Sequence, residues 1–109
     1  MMFPKRGDLV YLNFNPQAGH EQAGKRPALV ISPEPFNRAT GFAVVCPITG
    51  QVKGYPFEIV LPDGLPIYGA ILTDQIKSLD WRARGLTIEG EAPQKIVQEC
   101  LDKIHTFLT

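Results

Sequence analysis

Turn-forming residues break this chain into short segments. Asn15-Pro16, Thr49-Gly50 and Pro62-Asp63-Gly64-Leu65-Pro66 each stand at the end of an apolar run, and Thr40-Gly41 stands at the start of one. With ten prolines and ten glycines among 109 residues, the same punctuation runs along the whole length. Proline inside a helix removes a donor and clashes with the preceding turn. A bundle of long helices is therefore disfavoured, and short strands joined by turns are expected.

The apolar patterns agree. Residues 8–14 alternate, with Val10, Leu12 and Phe14 on one face. Ala28-Leu29-Val30-Ile31 is a continuous apolar run between prolines, the pattern of a buried strand. Further strands are expected over residues 42–48, 57–61, 68–73 and 84–91. A short helical turn is expected within Ser32-Pro33-Glu34-Pro35-Phe36-Asn37. Pro93 suits the first turn of a helix. Ile96, Val97, Cys100, Leu101, Ile104 and Leu108 then follow helical spacing on one face. The expectation is one mainly β domain over residues 1–109: a small, strongly bent antiparallel barrel of five or six strands with a C-terminal α-helix packed against it.

Several function classes are disfavoured. No run approaches the length of a membrane span, and the first residues have charge but no apolar core after them, unlike a secretory signal. Cys46 and Cys100 are far apart and lack metal-ligand spacing, so a reduced, cytosolic protein is expected. The acids have no paired metal-binding spacing. Neither a Walker-type phosphate loop nor a Gly-x-Ser-x-Gly elbow is present. Catalysis, if any, is expected to need no metal and no cofactor. Net charge is zero, which argues against a general nucleic-acid binder. The charge is uneven, however. Residues 1–88 hold nine Lys or Arg and seven Asp or Glu, against two and four in residues 89–109. Lys25, Arg26, Arg38, Lys53, Lys77, Arg82 and Arg84 fall mostly in expected loops, so a local positive groove is compatible with the sequence.

The densest chemistry lies in Gly19-His20-Glu21-Gln22-Ala23-Gly24-Lys25-Arg26-Pro27, expected as a loop between two strands. Pro27 pushes Arg26 toward an extended conformation. Arg26 reads either as a fork for phosphate or carboxylate or as a surface cation paired with Glu21 or Glu58. Glu21 reads as a general base, an orienter of Arg26 or a solvated acid. His20 titrates near neutrality, but its only histidine partner would be His105 on the expected helix, which disfavours a two-histidine mechanism. Lys25 is a solvated charge or a phosphate contact. Thr49 could donate to a phosphoryl oxygen or cap a turn. Gln75, Lys77 and Ser78 offer an amide, a cation and a hydroxyl for bases or phosphates. Trp81, between Asp80 and Arg82, reads as a base-stacking ring or as core.

Taken together, four segments resemble the MazF toxins, within the wider MazF/PemK/Kid/CcdB group. They are Gly7-Asp8-Leu9-Val10, Glu21-Gln22-Ala23-Gly24-Lys25-Arg26-Pro27-Ala28-Leu29-Val30-Ile31-Ser32-Pro33, Lys53-Gly54-Tyr55-Pro56-Phe57-Glu58 and Asp74-Gln75-Ile76-Lys77-Ser78-Leu79-Asp80-Trp81-Arg82-Ala83-Arg84. The resemblance runs from about residue 7 to the end, and only the part from Leu86 onward is generic. It implies an SH3-like barrel forming a homodimer. It implies metal-independent cleavage of single-stranded RNA at short sequences, leaving a 2′,3′-cyclic phosphate and a 5′-hydroxyl.

By motif position, Arg26 falls on the family's catalytic arginine. Thr49, in Cys46-Pro47-Ile48-Thr49, falls on its catalytic threonine, and Glu21 on a supporting acid. The resemblance also implies a MazE-like antitoxin with a disordered acidic and hydrophobic tail. Lys53, Lys77, Arg82 and Arg84 are then contacts for both RNA and that tail. Two rival readings are a CcdB-like gyrase poison and an SH3-like module without catalysis. The ending Phe107-Leu108-Thr109 departs from the Trp-Gly-Ile ending of CcdB-like chains, and retention of Arg26 and Thr49 disfavours the inert module.

Overall fold

The structure is a computed structural model that describes residues 2–15 and 24–108. Glu21 and His20 lie outside the described residues. In chain order the elements are β1 (Asp8–Asn13), β2 (Lys25–Val30), α1 (Glu34–Thr40), β3 (Phe42–Thr49), β4 (Glu58–Val60) and β5 (Ala70–Leu72). A 3₁₀ turn (Thr73–Gln75), β6 (Lys77–Asp80), β7 (Thr87–Glu91) and α2 (Gln94–His105) follow.

All described strand pairs are antiparallel, and the sheet runs β4-β5-β3-β2-β1-β7 with β6 also paired to β3. β3 gives residues 42–45 to β6 and residues 48–49 to β5. No pairing joins β4 to β7 among the described residues, so the expected barrel is a bent, open sheet rather than a closed cylinder.

Both faces of the central strands are buried. Val10, Leu12 and Phe14 pack with Ala28, Val30, Ala43, Val45, Leu79 and Trp81 on one side. Leu9, Leu29, Cys46 and Ile48 face the other side, where Val97, Cys100 and Ile104 of α2 cover them. This explains the continuous apolar run at residues 28–31. A strand covered on both faces has no polar side to alternate with. α2 begins one residue after Pro93, its N-cap, and ends at His105. Leu108 therefore does not continue the apolar face and is 61% exposed.

Asn37 is a fully buried polar residue hydrogen-bonded to Trp81 of the first of these clusters. Its Nδ2 donates to the carbonyls of Pro4 (2.8 Å) and Ser32 (3.0 Å), and its Oδ1 accepts from Ser32 Oγ. Its own carbonyl accepts the indole N–H of Trp81 at 2.9 Å. Trp81 is thus a core residue, 6% exposed, and the base-stacking reading does not hold for this ring.

Cys46 and Cys100 are free and buried thiols. Burial in the apolar core pushes both above the ordinary thiol range, Cys100 to about 12. Thiolate is the reactive form, so neither cysteine should react with a thiol reagent at pH 8 until denaturant is added. Rapid labelling of the native protein, followed by mass spectrometry, would contradict this. The raised values also fix a sign. The stability these thiols contribute is fully present below their unfolded-state value, and the Cys100 part of it is lost as pH rises toward about 12.

Candidate functional site

Arg26 lies within β2, not in a loop, opposite Leu12 of β1. Lys25 lies opposite Asn13 and is exposed. Backbone pairing with β1 carries the strand through these polar residues and through Pro27, which has no N–H to give. On the other edge, β2 pairs with β3 up to Ala28↔Pro47. By strand alternation, Arg26 and Thr49 are the next residues outward on that same face. Two residues that stand 23 apart in sequence thus sit at adjoining strand ends.

Thr49 is held on both sides. It pairs with Ala70 of β5, and its Oγ1 accepts the Gln51 N–H at 3.1 Å. The turn-capping reading is therefore correct. Accepting one bond still leaves the hydroxyl hydrogen to donate. The close approach of the chain before β5 depends on Gly69. A Cβ there would stand 2.2 Å from the Thr49 carbonyl oxygen.

Residues 50–57 leave β3 and return to β4. Glu58 Oε1 fixes this loop by accepting the N–H groups of Lys53 (3.1 Å) and Gly54 (2.9 Å). Thr73 ties the other end, since both its N–H and its Oγ1 donate to the Phe57 carbonyl, at 3.2 and 2.6 Å. Between loop and 3₁₀ turn lies a groove of about 450 Å³, lined by Thr49, Lys53, Tyr55, Glu58, Asp74 and Gln75 among others. Lys53 Nζ sits 5.9 Å from the Tyr55 ring centroid.

The structure brings together some of the sequence candidates and separates others. Thr49, Lys53 and Gln75 share the groove. Lys77, opposite Val45 on β6, shares the face of Arg26 and Thr49. Lys77 therefore also belongs to a strand. Ser78, opposite Val44, is exposed on the other face, so Lys77 and Ser78 do not act from one side. Arg82 lies over aromatic rings, with its guanidinium carbon 4.9 Å from the Trp81 centroid and 5.8 Å from that of Phe3. Arg84 donates to the carbonyls of Asn13 and Asn15.

Arg84 thereby braces a stem. Phe14 N–H donates to the Gly24 carbonyl at 2.8 Å, and Gly24 N–H to Asn15 Oδ1 at 2.9 Å. The two ends of the segment that carries Glu21 are thus held next to each other. Sequence reasoning missed Tyr55 and Asp74 as groove residues, and it saw Glu58 only as a partner for Arg26. The period-2 pattern around Ile59 was the available signal for Glu58, because it places Glu58 off the core face.

Among the described residues, no group of three or more His, Cys, Asp or Glu is placed to hold a metal ion. None of their helices is long and apolar enough to cross a membrane.

Comparison with known proteins gives one consistent result. Residues 5–108 match the family model of the PemK-like, MazF-like toxins of type II toxin–antitoxin systems. The chain is 46% identical to the endoribonuclease toxin MazF of Escherichia coli K12 over 105 residues, covering 96% of this chain and 94% of that one. It superimposes on the crystal structure of MazF from Deinococcus radiodurans with a TM-score of 0.95 at 48% identity, covering 99% of this chain and 98% of that one. A MazE-MazF crystal structure from the same organism gives 0.89 at 46% identity, covering 98% and 97%. The chain belongs to the family of PemK-like, MazF-like toxins of type II toxin–antitoxin systems.

Proposed function

We propose that this protein is a metal-independent endoribonuclease toxin that cleaves single-stranded RNA at short sequences and so arrests translation. The observation that carries the reading is that Arg26 and Thr49 stand at adjoining ends of β2 and β3 on one face, with Thr49 lining the groove. Relatives named as endoribonucleases at 46% identity support it.

The reaction makes a bond from the ribose 2′ oxygen to the adjacent phosphorus and breaks the bond from phosphorus to the 5′ oxygen. A proton leaves the 2′-hydroxyl and a proton reaches the 5′ oxygen, so the products are a 2′,3′-cyclic phosphate and a 5′-hydroxyl. The crowded anionic phosphorane between them needs fixed positive charge, which is often the largest catalytic contribution. Arg26 supplies it with a planar fork of donors and can also protonate the leaving oxygen. A guanidinium, which stays protonated in proteins, makes a poor base. Glu21 is the better base on intrinsic grounds, or it orients Arg26. Thr49 donates its hydroxyl hydrogen to a phosphoryl oxygen.

Lys53 and Gln75 share the groove with Thr49, Lys77 shares its sheet face, and all three are assigned to the RNA strand. Lys25, Ser78, Arg82 and Arg84 are assigned to its flanks, Arg84 chiefly through the stem it braces. The active form is inferred to be a cytoplasmic homodimer neutralised by a MazE-like antitoxin. A disordered acidic and apolar tail folding onto the surface suits the mixed cationic and apolar side chains there.

The decisive experiment incubates purified protein with a mixed-sequence single-stranded RNA in EDTA and maps the product ends. Cyclic phosphate and 5′-hydroxyl ends, formed at unchanged rate in the chelator, are expected. Cleavage that stops in EDTA and returns with added magnesium would overturn the metal-free route. No cleavage by the folded protein would overturn the enzyme reading itself.

A further inference from the structure

Gln75 Oε1 is buried, and it accepts no hydrogen bond among the described residues. Leaving an acceptor in that state costs the full desolvation of the group, and native chains keep few of them. The atom belongs to a residue that lines the groove beside Thr49. Its backbone is fixed on both sides. Thr73 is tied to Phe57 before it, and Lys77 enters the β6 ladder opposite Val45 after it.

The groove's chemistry determines what completes this acceptor. Asp74 and Glu58 place two carboxylates in the lining, against the single cation of Lys53. A phosphate at this position would meet two like charges and a carbonyl oxygen, an arrangement that repels it. A ligand edge carrying N–H groups would meet acceptors. Tyr55, 61% exposed, adds an aromatic face of the kind on which bases stack.

We propose that this groove holds one nucleobase of the RNA, next to the scissile phosphate, and that Gln75 Oε1 accepts from its exocyclic amino group. The groove then selects adenine, guanine or cytosine over uracil at one position of the cleaved sequence. The amide of glutamine suits such a reading because its acceptor and donor ends can engage one base edge together. This proposal rests on the nuclease reading above.

The test is a cycle of protein and substrate changes. The preferred sequence is first mapped on a random single-stranded RNA pool with the wild-type protein. Each preferred base is then replaced by an analogue without its amino group: purine for adenine, inosine for guanine, pyrimidin-2-one for cytosine. At one position the wild type should lose roughly 5- to 150-fold in cleavage rate. Gln75→Met, which keeps volume and removes the acceptor, should respond to the same analogue by no more than about twofold, because the coupling is gone. Amino deletion without effect at every position, or with equal effect in both proteins, overturns the proposal. If Gln75→Met loses its fold by circular dichroism, Gln75→Ala takes its place in the same cycle. A folded wild type that cuts nothing in the pool refutes the nuclease reading, before any analogue is compared.

Discussion

Arg26→Ala is expected to reduce RNA cleavage by roughly a thousandfold, the scale seen when one preorganised transition-state donor is removed. The folded state should hardly change. Arg26 is exposed on β2, and surface substitutions usually stay within about 0.5 kcal/mol. A thermal melt should therefore superimpose on that of the wild type within a few degrees. Arg26→Lys gives a sharper diagnosis. It keeps the charge but loses the planar fork that binds two phosphate oxygens at once. Its activity should fall between the two, with the loss in kcat rather than KM, because the missing bond matters only as the phosphorane forms. A folded Arg26→Ala protein that cleaves at the wild-type rate would remove Arg26 from the catalytic assignment. Equal loss in both variants would mean that geometry, not charge, is what Arg26 contributes.

Much of the scaffold behind Arg26 was legible because burial leaves a mark on spacing. Val10, Leu12 and Phe14 do share one core face, and Val97, Cys100 and Ile104 do form the buried stripe of α2. Elements held by backbone pairing rather than by side-chain burial were harder to see. The first residues of β2, Lys25 and Arg26, are exposed, and the ladder to β1 alone makes them strand. In β6 only Leu79 is buried, so Lys77–Asp80 reads as a polar loop until its pairing with β3 is known. Whether the sheet closes is likewise not a local property, because it depends on strands distant in sequence meeting edge to edge. The site divides in the same way. Arg26 and Thr49 are visible by residue type and motif, but their shared face follows only from the β2–β3 register. By its local sequence Asn37 is only the end of an expected helical turn. Its partners Pro4 and Trp81 lie 33 and 44 residues away, beyond any local pattern.

Gly69→Ala is expected to be the most damaging small substitution in the described chain, costing about 4 kcal/mol, at the upper end of single-residue effects. Two penalties act together there. The backbone has φ +126°, a conformation L residues rarely adopt. The added Cβ would also meet the Thr49 carbonyl oxygen at 2.2 Å, and because that atom is backbone no rotamer change relieves the contact. Two other glycines separate these terms. Gly64 has φ +91° with nothing within 4 Å, so Gly64→Ala carries only the dihedral penalty, about 1 kcal/mol. Gly90 lacks a positive φ, and its Cβ would meet Pro66 Cγ at 2.8 Å, a side-chain atom. Gly90→Ala should therefore cost about 1–2 kcal/mol as the contact relaxes. Urea denaturation of the three variants tests the ranking. Gly69→Ala should exceed the sum of the other two, because its clash cannot relax without moving β5 away from β3. The ladder it would open is Thr49↔Ala70, so the residual folded protein should also lose cleavage activity while Gly64→Ala keeps it. Equal stability loss at Gly69 and Gly64 would show that the Thr49 strand end yields freely, and that its position beside Arg26 is not enforced by the fold.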